Sequence, residues 1–158
     1  MTLTFAPLKQ AYRTHRRADL FRKLGGGWPA EIDKEKYVNT CAIRMSEALK
    51  DAGATIPASF KEAMRGDGSP IVVYVKTMRK VVQALLGEPT WGMSKQEEQA
   101  LTAADLPKQT GIIAYHVSKN VWDDATGHFD LWTGTAFVGE GKFSDIAKGY
   151  ALEFWRVA

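Results

Sequence analysis

The sequence predicts an α+β fold with N-terminal helices packed on a C-terminal antiparallel sheet. Three observations carry this. Apolar residues recur at three-to-four spacing through the first two thirds of the chain. From Gly111 onward the apolar runs are short, rich in β-branched and aromatic residues, and separated by turn signals. The two patterns are segregated rather than interleaved, which separates α+β from alternating α/β. The chain has 158 residues and 17.5 kDa, enough for one domain spanning 1–158. A domain of this size buries roughly 68–70% of its unfolded surface and needs no crosslinks.

Residues 1–27 read as a basic helical segment. Leu8, Ala11, Tyr12 and His15 fall at helical spacing, and Leu20 and Leu24 continue it. Pro7 is tolerated near a helix start, and Gly25-Gly26-Gly27 ends the segment. Residues 39–106 form a mainly helical half. Asn39 or Thr40 can cap a helix whose broad apolar face is Ala42, Ile43, Met45, Ala48, Leu49 and Ala52, with Gly53 as its stop. The turn-rich Gly66-Asp67-Gly68-Ser69-Pro70 leads into Ile71 to Val75, whose β-branched content predicts a strand. Thr77 to Leu86 reads as a helix stopped by Gly87 and Pro89. Ser94 and Glu97 have the spacing of a capping box for a short helix carrying Ala100, Leu101 and Ala104.

Residues 111–158 form the β half. Gly111 to Val117 and His128 to Trp132 read as strands, Thr133-Gly134 as a turn, Ala136 to Glu140 as the hairpin partner, and Leu152 to Val157 as a closing strand.

Composition narrows the function classes. Hydrophobic residues are 45% and charged residues 25%, ordinary for a globular protein. The longest apolar run is far below the roughly 18 residues of a membrane span, and Met1 to Arg17 lacks the apolar core of a secretory signal. The expectation is a protein that stays in the cytosol or leaves by a route without a cleaved signal. The net charge of +3 is a mild basic bias. A basic binding module using Arg13, Arg16, Arg17, Arg22 and Lys23 is one reading. No zinc-finger spacing, phosphate loop or aromatic-interleaved basic strand supports nucleic-acid binding. One cysteine and three scattered histidines offer no metal-ligand spacing.

Cys41 stands in the first turn of its expected helix, where unpaired N–H groups and the helix dipole favour a thiolate. A lone cysteine is more often a small buried hydrophobe. A thiolate nucleophile needs a base. His15 lies in the basic N-terminal segment, and His116 alternates within a strand as a packed core residue would. His128 opens a strand after a polar loop, with Gly127 leaving room for close approach. A cysteine at a helix start followed by a histidine at a strand start is the order of papain-like hydrolases.

Two carboxylates compete to orient the imidazole. Asp130 shares a strand face with His128. Glu140 falls opposite His128 if the hairpin loop is the three residues Thr133-Gly134-Thr135, whereas a two-residue loop puts Gly139 there. Both registers stand at this point, with a slight preference for Glu140. Trp122, in the loop before His128, and Trp28, ahead of the cysteine helix, are candidate walls of a substrate groove or simply core. Arg44, on the cysteine helix, can meet a substrate carboxylate or be solvated.

The strings Asn39-Thr40-Cys41-Ala42-Ile43-Arg44-Met45-Ser46, Gly111-Ile112-Ile113 and Gly127-His128-Phe129-Asp130-Leu131-Trp132-Thr133-Gly134 resemble the fourth family of type VI secretion amidase effectors. These are small toxins with an NlpC-like papain fold, and the resemblance runs from roughly Gly25 to the C-terminus. It implies that Cys41 is the nucleophile and His128 the base. The family's third acid would fall on Gly139, one place before Glu140, so the chain departs from the pattern there. Some relatives carry a cysteine pair near this hairpin, which a single cysteine forbids. The resemblance further implies hydrolysis of the γ-D-glutamyl–meso-diaminopimelate bond in cell-wall stem peptides, without a cofactor. It implies injection by a type VI secretion apparatus into a rival's periplasm, and a cognate immunity protein that plugs the cleft. The expected chemistry is two-step acyl transfer, with the Cys41 backbone N–H meeting the oxyanion. A papain-like protease or deamidase acting on protein would share Cys41 and His128 and differ in its groove.

Overall fold

The computed structural model describes residues 2–12, 16–37, 39–94, 100–116, 127–148 and 151–158. In chain order the main elements are α1 (Phe5–Ala11), α2 (Arg17–Leu24), α3 (Cys41–Asp51), β1 (Ala63–Met64), β2 (Pro70–Ile71), α4 (Val75–Leu86), β3 (Trp91–Ser94), β4 (Gly111–His116), β5 (His128–Trp132), α5 (Phe143–Lys148) and β6 (Ala151–Arg156). Four strands form an antiparallel sheet in the order β3-β6-β4-β5, and β1 and β2 form a separate small ribbon. Helices precede most of the sheet, as the segregated periodicities predict.

α3 is the central helix. Every side chain from Cys41 to Leu49 is buried, because the helix lies between two clusters. Ala42, Met45, Ala48 and Leu49 pack with α1, α4 and the inner faces of β4 and β5. Ile43 packs with Leu20, Phe21, Leu24 and Trp28. Strand alternation divides β4 between the two sides of the sheet. Ile112 and Ala114 join the α3 cluster, while Ile113 and Tyr115 join Trp132, Ile146 and Phe154. The closing strand β6 therefore sits inside the sheet, between β3 and β4.

Several local expectations change in the structure. Ile71 to Val75 is not a strand: only Ile71 pairs, and Val75 already begins α4. The backbone in between is bonded by side chains. The Val72 N–H donates to Ser46 Oγ at 2.9 Å, and those of Val73 and Tyr74 donate to Glu62 Oε1 at 2.8 and 3.0 Å. With its donors taken this way, the run has no need of a strand partner. Ser94 ends β3 opposite Ala151 rather than capping a helix, and the capping box belongs to Thr102 and Asp105. Glu97 lies outside the described residues. The basic segment is two helices, α1 and α2, with Gly25 at φ 71° closing the second.

Arg17 spends its guanidinium on the loop after α2, donating to the carbonyls of Glu31, Ile32, Lys34, Lys36 and Tyr37. Lys23 pairs with Glu47 and Asp51, and Arg22 with Asp19. These members of the basic cluster are engaged in folding contacts. No helix among the described residues is long and apolar enough to cross a membrane.

Candidate active site

Cys41 is the first residue of α3, at the end where helix N–H groups lack intrahelical partners. It is 4% exposed, its sulfur 3.9 Å from the Gly127 carbonyl oxygen. Asn39 ties the two chain segments together. Its Nδ2 donates to Gly127 O at 3.0 Å, and its Oδ1 accepts the Cys41 N–H at 3.2 Å. The N–H expected to meet an oxyanion is thus held by Asn39 in this state. Gly127 is required by close approach, since a Cβ there would lie 2.6 Å from Val75 Cγ1.

His128 opens β5, and its ring lies near Tyr115 with centroids 5.3 Å apart. Its Nε2 is 3.1 Å from Asp130 Oδ2. Burial disfavours the imidazolium, but hydrogen bonds to Asp130 and Cys41, and attraction to both, outweigh it and raise the pKa from 6.5 to about 9. His128 therefore carries its proton at neutral pH.

Asp130 is wholly buried. Besides His128 it accepts three backbone N–H groups: Leu131 and Gly139 on Oδ1 and Gly141 on Oδ2, each at 2.7 Å. Three such donors satisfy a buried carboxylate and lock its direction. Leu131 is the next residue of β5, and the two glycines come from the chain after β5, which does not form the expected strand Ala136 to Glu140. Only Phe137 makes a bridge, opposite Trp132, and Val138 N donates to Leu131 O at 2.9 Å. The loop is therefore one residue longer than the three-residue alternative, and the register that would set Glu140 against His128 does not form.

Glu140 is exposed at the cavity rim, and it is Asp130 that bonds the histidine. A Cβ on Gly139 would lie 2.8 Å from Asp130 Oδ1 and 2.9 Å from the Tyr12 hydroxyl. The Asp130 carboxylate thus occupies space that a side chain at position 139 would fill. Loop position 139, where the resemblance sets an acid, and the Asp130 side chain from β5 thus lead into one volume.

The cavity over Cys41 and His128 is also lined by Tyr12, Thr40 and Arg44. Tyr12 was not foreseen as a site residue. It reaches the cavity from the end of α1, and its hydroxyl donates to Phe129 O at 3.4 Å. Burial, then Asp130 and Cys41, hold its phenol well above the ordinary value, so it stays neutral. The helical spacing of Leu8, Ala11 and Tyr12 signals burial but not what Tyr12 is buried against. Trp28 does not border this cavity. It is 5% exposed, packs on Phe21 and Tyr37, donates Nε1–H to Met64 O at 2.7 Å, and faces a separate hollow. Trp122 and His15 lie outside the described residues. His116 is a buried core residue of β4. Among the described residues no group of three or more His, Cys, Asp or Glu side chains could hold a metal ion.

Solved structures share this backbone. The type VI effector Tae4 from Enterobacter cloacae is 25% identical, with a TM-score of 0.81 over 100% of this chain and 98% of that one. The same effector in its Tae4–Tai4 effector–immunity complex gives 24% identity and 0.82 over 100% of both chains. The Tae4–Tai4 complex from Salmonella Typhimurium gives 21% and 0.80, again over 100% of both. These likenesses establish the papain-like α+β fold. No curated relative matches in sequence. Residues 37–155 match the family described as Type VI secretion system (T6SS), amidase effector protein 4, or Tae4. That stretch runs from just before the cysteine helix to the closing strand and includes Cys41, His128 and Asp130, and on it the chain belongs to the T6SS amidase effector 4 family.

Proposed function

We propose that this protein cleaves the γ-D-glutamyl–meso-diaminopimelate amide of bacterial cell-wall stem peptides, with Cys41 as nucleophile, His128 as proton carrier and Asp130 as the orienting acid. The observation that carries the reading is the fully buried Asp130 carboxylate, fixed by three backbone N–H groups and directed at His128 Nε2. With Nε2 taken, the other ring nitrogen is left for Cys41. A histidine raised to about 9 beside a thiol at a helix start is the composition of a thiolate–imidazolium pair.

The thiolate attacks the γ-carbonyl carbon, and the oxygen takes the negative charge. The Cys41 N–H, whose 3.2 Å bond to Asn39 is long, yields to that stronger, charged acceptor. The C–N bond breaks as His128 gives its proton to the leaving amine. Water then attacks the thioester while His128 takes one proton from it, the Cys41 thiolate departs, and the freed γ-carboxylic acid loses its remaining proton to solvent. Asp130 holds the ring and stabilises its charge throughout.

Family membership supports delivery by a type VI secretion system, and action on the wall of a rival cell places the substrate in that cell's periplasm. Relatives are seen as Tae4–Tai4 effector–immunity complexes. A producing cell would accordingly keep a cognate immunity protein that closes this cleft.

The test is incubation of purified muropeptides with wild type and Cys41→Ala, read by mass spectrometry. Cleavage between D-glutamate and diaminopimelate by wild type alone supports the assignment. Equal cleavage by both proteins, or cleavage only of protein substrates, would overturn it.

A further inference from the structure

We infer that Arg44 determines specificity by receiving a carboxylate on the acyl side of the scissile bond, namely the free α-carboxylate of a γ-linked D-glutamyl unit. This rests on the proposed function above. Arg44 is a charged side chain only 8% exposed, on the nucleophile's own helix and on the wall of the same cavity. Its Nε donates to Thr40 Oγ1 at 3.1 Å, which sets the plane of the guanidinium beside Cys41. The planar fork of a guanidinium matches a carboxylate.

The direction of the substrate follows from the chemistry. His128 must hand its proton to the leaving amine, so the amine lies against the ring nitrogen that faces Cys41 and the chain beyond it runs out past the imidazole. A second hollow opens there, lined by Tyr115, Gly127, Lys142 and Asp145, and joined to the first at Asn39, His128 and Glu140. The acyl group then lies over Cys41, in the part of the groove walled by Tyr12, Thr40 and Arg44.

The spacing also fits. An amide made through the γ-carboxyl leaves the α-carboxylate four bonds from the attacked carbon, roughly 5 Å when extended. Arg44 is three residues beyond Cys41, and side chains so placed on a helix start about 5–6 Å apart. Both residues line one cavity, so a substrate whose carbonyl lies over Cys41 carries its α-carboxylate into the space that Arg44 walls. Glu140 at the rim repels a second negative charge, so entry of the carboxylate depends on Arg44.

The experiment compares two stem peptides, one with the free α-carboxylate and one with the α-carboxamide at the same carbon. Wild type is expected to prefer the carboxylate by about 10- to 100-fold in kcat/KM. Arg44→Gln should lose that preference, slowing much more on the carboxylate peptide than on the amide. Arg44→Lys, with charge but no fork, should keep part of it. The wild-type ratio alone is decisive if a variant fails to fold. Equal rates on the two peptides would overturn the inference and leave the amidase reading standing. An equal loss on both peptides in Arg44→Gln would make Arg44 a folding residue and overturn it too. Cleavage of neither peptide by wild type would overturn both the inference and the reading beneath it.

Discussion

The cysteine arm, Asn39 to Leu49, and the acid arm, His128 to Gly141, meet in one cavity but are held in different ways. The cysteine arm is a helix buried on nearly all sides, so Cys41 is placed by packing against the surrounding helices and sheet. The acid arm is an edge strand followed by a loop with a single bridge, so Asp130 is placed by hydrogen bonds from Leu131, Gly139 and Gly141. A thiol needs a position and a dipole, which a helix start supplies. A carboxylate that orients a histidine needs donors on its other lone pairs, which a loop supplies through its backbone. The first arm tolerates little change of volume, and the second little change of hydrogen bonding or glycine.

The largest effect should follow from removing either partner at the junction of the arms. Cys41→Ala or His128→Ala should each lower kcat by at least about a thousandfold while leaving the circular dichroism spectrum intact. Preserved turnover would break the assignment of both arms.

Asp130→Asn comes next and separates the arms most sharply. It keeps the shape but weakens the charge that supports the imidazolium. We expect kcat to fall by about a hundredfold or more. The alkaline limb of the rate profile, set by loss of the His128 proton near pH 9, should also move to lower pH. An unmoved limb would mean that Cys41 alone sustains the raised value.

Gly139→Ala should cost less. Its Cβ would press within 2.8 Å of Asp130 Oδ1, so a loss of about 1–3 kcal/mol in stability with a lower rate is expected, by thermal melts and kinetics. Glu140→Gln, at the same loop but on the rim, should change the rate by no more than about twofold. A crippled Glu140→Gln with a silent Asp130→Asn would reverse the assignment of the acid arm.

The smallest effect is on stability with pH. The folded pKa of His128 is raised above its unfolded value near 6.5. Its contribution is therefore complete below that pH and is lost as pH rises through about 9. Thermal melts between pH 6.5 and 10 should fall more steeply for wild type than for His128→Gln.

The helix of Cys41 was legible because its cap, its apolar face and its glycine stop agree locally. So were β4, β5 and the closing strand, whose residues are β-branched or aromatic and flanked by turn signals. Ile71 to Val75 misled for a physical reason. Its composition suits a strand, but Ser46 and Glu62, distant in sequence, take its backbone donors. β3 was hidden by Gly92 and by the capping signal at Ser94.

Side-chain type and local spacing sufficed to single out Cys41 and His128, the proposed nucleophile and base, because each sits at the start of a regular element. They also put Asp130 on the face of His128 but left Glu140 in competition, since hairpin register depends on a loop length that composition does not determine. The tertiary fold made that choice. It closed a longer loop over the edge strand, turned the Gly139 and Gly141 N–H groups onto Asp130, and left Glu140 in solvent. It also brought Tyr12 from the first helix to the same cavity. Hydrogen bonds between segments far apart in sequence settle such questions, and their partners become identifiable only when the chain is folded.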